Sequence, residues 1–553
     1  MLVTIVLISI LTFILGYFFY SRFVAREFQL DDNAVTPAIQ INDGVDYVPA
    51  RPALLIGQHF SAIAAAGPIV GPVLAAIWFG WLPAVLWIIL GAIFIGGVHD
   101  FSSMIASVRH KATSIAEIVK GNMSPTSHML FLIFIWLCLV YVIIAFTDIT
   151  AQTFKTITDN IAFGPGVAAS SILYLAAGLI MGVLLYKFRL SLTIATIIFV
   201  PVVLFIVWVG PRLPEPILSL LSDIPVKKWD VFLLVYCFFA SIIPMWLLLQ
   251  PRGYLGGWFL YLTIIIGLIG AIFGGFGIEY PAINLEGFRS SLNAKFLFPI
   301  LFITVACGAC SGFHGIVSSG TTSKQIKKES DTLVVGYGAM LMEGLVAVLA
   351  VATVMMLPVG SPMLKNDPNI VYANGIAKYM GLMGIGFNVA FPFALLAFST
   401  FVYDTLDVST RLGRYIFQEI FGIRSRIGAA LATLATLLLP LIFMLSTKEK
   451  SYLVAWPIFG TSNQLLASLT LLAISVWMKK SGKNALIAII PAIFMLIMTL
   501  WALVLQIIPF IKTFGQAVSP DVIISGIFGI ILLILAIWLV IESIRALTPA
   551  RKR

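Results

Sequence analysis

Residues 307–322 read CGACSGFHGIVSSGTT. They follow FLFPILFITVA, an apolar run of the kind that crosses a bilayer. Four glycines, five hydroxyls and a histidine therefore stand at membrane depth. Glycine lowers the cost of leaving helical geometry. Freed backbone groups are tolerated at that depth only where protein or a water-filled cavity satisfies them. The stretch predicts a helix broken inside the bilayer, with two half-helix ends turned toward a polar cavity. The N-terminal end favours an anion and the C-terminal carbonyls a cation.

The rest of the chain sets the class. Of 553 residues, 60% are hydrophobic and 10% charged, and the mean hydropathy is +1.05. A soluble chain is nearer half apolar and a quarter charged. Apolar runs recur from end to end, which predicts an all-α polytopic membrane protein. About fifteen transmembrane helices are expected, starting near residues 1, 56, 82, 128, 167, 189, 230, 254, 295, 334, 384, 427, 452, 484 and 521. The first run lacks a basic flank and a small-residue cleavage site, so it is read as a span rather than a signal peptide. Strand alternation is absent, against a β-barrel. Roughly two-thirds of the 34 Lys and Arg fall on odd-numbered connections and the C-terminal tail. That places the N-terminus outside and the C-terminus in the cytoplasm. The net charge of +10 then reflects basic cytoplasmic loops, with the lipid bilayer and no nucleic acid as partner.

The second expected span has a matching interruption, GQHFSAIAAAGPIVGPVLAAIWFG. Pro68 and Pro72 lack backbone donors, and Gly67 and Gly71 ease departure from the helix. The plainer reading of Gly67–Gly71 and Gly308–Gly312 is close helix packing through small residues. Spans two and nine are an odd number of crossings apart. Units of five spans beginning with them would enter the membrane from opposite sides, the inverted-repeat plan of secondary transporters. The expected organisation is a first span and loop (1–55), repeat one (56–210), two linking spans (211–294), repeat two (295–478) and two C-terminal spans with a basic tail (479–553).

Several long motifs, GPIVGPVLAA, LFPILFITVACGACSGFHGIVSSGTTSK, GYGAMLMEGLVAV, DVSTRLGRYIFQE and WPIFGTSNQLLA, closely resemble the carbon starvation protein A family, in order from about Arg51 to the last spans. The resemblance implies an importer of peptides or pyruvate, proton-coupled and induced when carbon runs short. It also implies the leucine-transporter-like five-plus-five inverted repeat of the amino acid–polyamine–organocation superfamily, with a discontinuous first helix in each repeat. Family members often read Gly-His-His-Phe where this chain has Gly57-Gln58-His59-Phe60, and an acidic residue where it has Gly253.

Ionisable groups within spans are functional candidates by default. His314 could bind a substrate carboxylate or relay a proton; alternatively it is a neutral ring bonded to a carbonyl. His59 has the same two readings and could lie at the interface. Glu343, in GAMLMEGLVAV, could accept a proton or be a structural partner. His99 and Asp100 are read as a helix end, with a proton relay as the alternative. Asp407 is expected to pair with Arg411 four residues on, leaving Asp404 as a candidate for proton coupling. Arg252 is read as a topology anchor. With Gly67, Pro68, Gly71, Gly308 and Gly312, the hydroxyls of Ser311, Ser318 and Ser319 are expected to line the substrate cavity. The superfamily resemblance alone makes Ser399 and Thr400 candidates for a sodium site. Asn463 and Gln464 are read as interhelical contacts, and Cys307 and Cys310 as packing residues. No cofactor or metal is expected. The chain shows no G-x-x-x-x-G-K-[ST] for ATP and no close histidine pairing for catalysis, so an intramembrane enzyme is disfavoured.

Overall fold

The computed structural model describes all residues except 123, 159, 286–296, 424, 448–451, 513–519 and 548–553. The expected start of the ninth span and most of the basic tail lie outside the described residues.

Eighteen helices carry the architecture: α1 (Leu2–Phe28), α2 (Pro52–Ile63), α3 (Gly67–Phe79), α4 (Trp81–Arg109), α5 (Pro125–Thr153), α6 (Gly164–Tyr186), α7 (Leu192–Arg212), α8 (Val226–Ile242), α9 (Leu249–Phe273), α10 (Leu297–Thr304), α11 (Gly312–Val317), α12 (Leu333–Met355), α13 (Pro368–Gly381), α14 (Phe387–Phe421), α15 (Arg426–Ser446), α16 (Tyr452–Lys480), α17 (Leu486–Lys512) and α18 (Pro520–Leu547). Among the described residues, twelve of them (α1, α4–α7, α9, α12 and α14–α18) are long and apolar enough to cross a membrane. The only strand pairing there is a two-residue hairpin, Ile157–Thr158 with Ile161–Ala162. The chain is a multi-pass, all-helical membrane protein.

Burial sorts the helices. The long α14 is buried along most of its length and packs on α5, α9, α13 and α15. Peripheral helices show bare apolar faces: Leu11 and Phe19 on α1, Ile197 and Phe205 on α7, Ile534 and Trp538 on α18. Such faces would associate in water and are at home against lipid. The connection before α14 contains α13, with Tyr372 and Tyr379 buried.

Two interruptions organise the interior. Residues 64–66 separate α2 from α3, which bend by 45°. The break thus precedes Gly67 rather than falling among the prolines. Pro68 sits in the first turn of α3, where its missing N–H costs nothing, and Pro72 is carried inside the helix. Residues 305–311 separate α10 from α11, and Gly308 there has a φ of +88°, a backbone that only glycine adopts freely. Side chains satisfy the freed backbone. Trp87 Nε1 donates to the Val305 carbonyl at 3.1 Å and Gln464 Nε2 to that of Phe302 at 3.2 Å. The Phe313 N–H donates to Asn463 Oδ1 at 2.7 Å, and Thr405 Oγ1 donates to the Ala62 carbonyl at 2.8 Å.

The two breaks touch. A Cβ on Gly67 would fall 2.3 Å from Cys307 Sγ, and one on Gly71 would fall 2.3 Å from the Thr304 carbonyl oxygen. Gly312 likewise lies against the α16 backbone at Asn463 and Ala467. Gly71→Ala must therefore push a backbone segment aside, at a cost of about 1–3 kcal/mol. It is expected to lower the thermal midpoint of the detergent-purified protein by several degrees. Gly121→Ala, with open space around it, does not lower the midpoint and serves as control.

Candidate functional site

Helix α4 contains a π turn, Ala92–Gly96, and then continues for thirteen residues to Arg109. His99 and Asp100 are consequently mid-helix and fully buried, which corrects their reading as a helix end. The approach is close because a Cβ on Gly96 would meet the Ala309 carbonyl at 2.4 Å. Asp100 Oδ1 lies 2.8 Å from His99 Nδ1, and Asp100 Oδ2 lies 2.8 Å from His314 Nδ1. The other ring nitrogen of His314 lies 3.3 Å from Glu343 Oε2. Three separate segments, α4, α11 and α12, thus build one line of titratable groups beside the break, and none of these side chains is exposed. His314 faces carboxylates on both sides and not a carbonyl.

The line has a definite charge logic. With a proton on each ring nitrogen, His314 donates to Asp100 and faces Glu343 at ion-pair distance. Two carboxylates and one imidazolium then carry a net charge of −1. One further proton on Glu343 neutralises the set. An isolated charge in the membrane interior is costly. Cys307 Sγ also approaches: it, a nitrogen of His314 and an oxygen of Glu343 lie within 4.8 Å of one another. The linear spacing of cysteines and histidines gave no sign of this grouping.

The other sequence candidates are distributed around this line. His59 is buried within α2, not at the interface, with Nδ1 2.8 Å from Thr322 Oγ1. Ser311 precedes α11 and bonds Asn463, whose Nδ2 donates to Ser311 Oγ at 3.0 Å. The same Asn463 takes the Phe313 N–H, so the first turn of α11 is already partly engaged by a side chain. Ser318 has a buried hydroxyl with no protein partner among the described residues. Ser319 instead accepts the Ile115 N–H at 3.2 Å. Gly67, Pro68, Gly71, Gly308 and Gly312 form the contact between the breaks and with α16.

Asp404 stands apart, in a second buried cluster. Arg252 Nε donates to Asp404 Oδ1 at 2.6 Å, and the same guanidinium also contacts Asp407. Ser61 closes on the other oxygen of Asp404, and Tyr236 donates to Asp407 Oδ2 at 2.7 Å. Arg252 is fully buried three residues into α9 and is no topology anchor. Asp407 does not take Arg411, which turns away to Asp46 at 3.0 Å and to the carbonyls of Ala240 and Ile243. The i,i+4 spacing offered Asp407 a local partner, but the buried guanidinium between two carboxylates has better geometry. Ser399 bonds the Leu396 carbonyl at 3.0 Å and neighbours Ser171 at 3.4 Å. The Thr400 hydroxyl is buried with no protein partner among the described residues, and it is Thr405, further along α14, that reaches the break after α2.

Removing one member of a buried ion cluster strands the others. Arg252→Gln leaves Asp404 and Asp407 uncompensated and is expected to cost about 3–5 kcal/mol. Heating followed by size-exclusion chromatography reads the loss. Adding Asp404→Asn and Asp407→Asn should recover much of it. Wild-type stability in Arg252→Gln alone would contradict the assignment.

The family described as "Carbon starvation protein CstA" matches this chain over residues 1–371 and 360–502. The chain is 30% identical over 563 residues to the peptide transporter CstA of Helicobacter pylori, covering 90% of this chain and 80% of that protein. It is 29% identical over 605 residues to the peptide transporter CstA of Bacillus subtilis, covering 98% and 96%. It is 29% identical over 605 residues to the pyruvate/proton symporter BtsT of Escherichia coli, covering 91% and 81%. Among solved structures, a mutant of the Eremococcus coleocola manganese transporter aligns with a TM-score of 0.48 at 14% identity, covering 92% of this chain and 99% of that one. The chain belongs to the carbon starvation protein CstA family.

Proposed function

We propose that this protein is a secondary active transporter that imports a small carboxylate such as pyruvate, or a short peptide, together with a proton, when carbon is scarce. The observation that carries this reading is the buried Asp100–His314–Glu343 line beside two touching helix breaks. The names of the relatives, peptide transporters and a pyruvate/proton symporter, support the cargo and the ion. A carboxylate cargo adds one negative charge to the cavity, and a proton taken up by the line offsets it. Loaded and empty states then carry equal charge, which lets both cross between outward- and inward-open forms. Transport, not intramembrane hydrolysis, is the reaction proposed for the site.

The topology belongs to the same proposal. The twelve long helices, the bent pair α2–α3, the 17-residue α8 and the interrupted pair α10–α11 make fifteen crossings. Counted so, the N-terminus lies outside, the C-terminus lies in the cytoplasm and the protein sits in the inner membrane. Residues 56–210 and 295–478 are the two inverted repeats, each starting with a broken helix, and one bundle rocks against the other. Sodium coupling is the alternative, favoured by the unpartnered Thr400 hydroxyl.

Proteoliposomes with an inward proton gradient and no sodium test the reading. Labelled pyruvate or dialanine should accumulate, and a protonophore should abolish the accumulation. Glu343→Gln should lose at least about tenfold of gradient-driven accumulation while retaining exchange of internal for external cargo, because exchange needs no net proton movement. Accumulation that needs sodium and survives a protonophore would move the coupling to Thr400 and Ser399. No movement of any carboxylate or peptide would overturn the transport reading.

A further inference from the structure

A cavity of about 720 Å³ opens where residues 43–47 and 113–120 meet the end of α14, and reaches inward to Ile316 and Gly320 beside the broken span. In the proposed topology this is the cytoplasmic side. Lys324 lines it from the short turn Ser323–Gln325 that ends the broken segment. The residue is only 9% exposed. Its ammonium lies 3.8 Å from the ring centre of Tyr415 and 5.4 Å from that of Tyr47. Aromatic faces hold a cation without neutralising it. Among the described residues, no hydrogen bond or ion pair engages this ammonium.

The neighbouring acids are already committed. Asp46 receives Arg411 at 3.0 Å, Arg414 at 3.5 Å and the Tyr415 hydroxyl at 2.5 Å. Burial would push the Asp46 carboxyl up, but Lys324, Arg411 and Arg414 together hold it below the usual carboxylate range. Asp43 Oδ1 accepts the backbone N–H groups of Val45, Asp46 and Tyr47, each at 2.9 Å. Across the cavity, Glu419 is bonded to His128 at 3.1 Å and to Ser114 at 2.9 Å, and Glu117 to Lys120 at 3.2 Å. Arg411 and Arg414 are thus paired with Asp46, while Lys324, which lines the cavity, makes no ion pair of its own among the described residues.

We propose that Lys324, caged by Tyr47 and Tyr415, is a second anion subsite that receives the carboxylate of the cargo between the central break and the cytoplasm. The inference rests on the transport reading for the identity of the cargo, but the subsite itself does not require it. Binding there exchanges one ion pair for the water of the cavity, and release needs no further movement of the break.

Footprinting of the full-length protein in lipid nanodiscs tests it. A small amine-acetylating reagent is applied without anion, with pyruvate, and with inorganic phosphate, and each lysine is followed by mass spectrometry. Pyruvate should slow acetylation of Lys324 about tenfold and leave Lys120, bound to Glu117 in the same cavity, unchanged. Absence of protection overturns the subsite. Equal protection by phosphate overturns its assignment to the cargo, leaving a general anion site. Transport supplies an independent arm. Lys324→Gln should raise the half-saturating pyruvate concentration about tenfold from the cytoplasmic face only, and Lys324→Arg should stay near wild type. Equal shifts on both faces, or none, would contradict the proposal. Protection of Lys324 in a protein that shows no exchange at all would leave the subsite standing and the transport reading refuted.

Discussion

The contact between Asp100 and His314 joins an uninterrupted helix to an interrupted one, and much of the interior follows from it. A carboxylate this deep needs donors. Asp100 finds one in its neighbour His99 and the other in a segment free to unwind. For His314 to stand opposite Asp100, α11 must begin only after the chain has broken. The break in turn exposes carbonyls and N–H groups that water cannot reach. Trp87 of α4 and Asn463 and Gln464 of α16 answer them, and Thr405 of α14 does the same at the break after α2. The broken backbone and the buried titratable line are two sides of one constraint: polar groups inside a bilayer must find their partners within the protein.

Much of this was legible in the sequence, and the parts that were not share a cause. The break at residues 305–311 could be read because glycines and hydroxyls crowd an apolar run. Pro68 and Pro72 signalled the second break but misplaced it, since a proline in the first turn starts a helix as readily as it ends one. His314, Glu343 and Asp100 stood out as ionisable residues in apolar surroundings, but nothing in their positions, some two hundred residues apart in one case, said that they meet. Arg252 was misread for the same reason. Its partners lie in α14, and the spacing rule offered Asp407 the nearer Arg411. Helix α13 was missed because its asparagines, glycine and lysine read as a connection, while its tyrosines are buried by neighbours remote in the chain.

The two buried clusters suggest a division of labour. Arg252 with Asp404 and Asp407 has the same make-up, one cation between two carboxylates, and pins α9 to α14. What sets the Asp100–His314–Glu343 line apart is its place against the breaks. Helix α2 runs between them: Ser61 reaches Asp404, while His59, two residues earlier, reaches Thr322 beyond α11. In the proposed mechanism a change of proton occupancy along that line acts on the segment beside the breaks, while the Arg252 cluster holds α9 against α14. Charge balance also separates possible cargos. A monocarboxylate entering with one proton moves no net charge, whereas a zwitterionic peptide entering with one proton moves one.

The most direct measurement is the proton itself. A pH electrode in a lightly buffered suspension of proteoliposomes, with the membrane potential clamped by potassium and valinomycin, reads proton movement when cargo is added outside. The account predicts a prompt alkalinisation of the medium that matches the cargo taken up and disappears in His314→Gln. Cargo uptake with no alkalinisation would contradict it and would remove the buried line from the coupling mechanism.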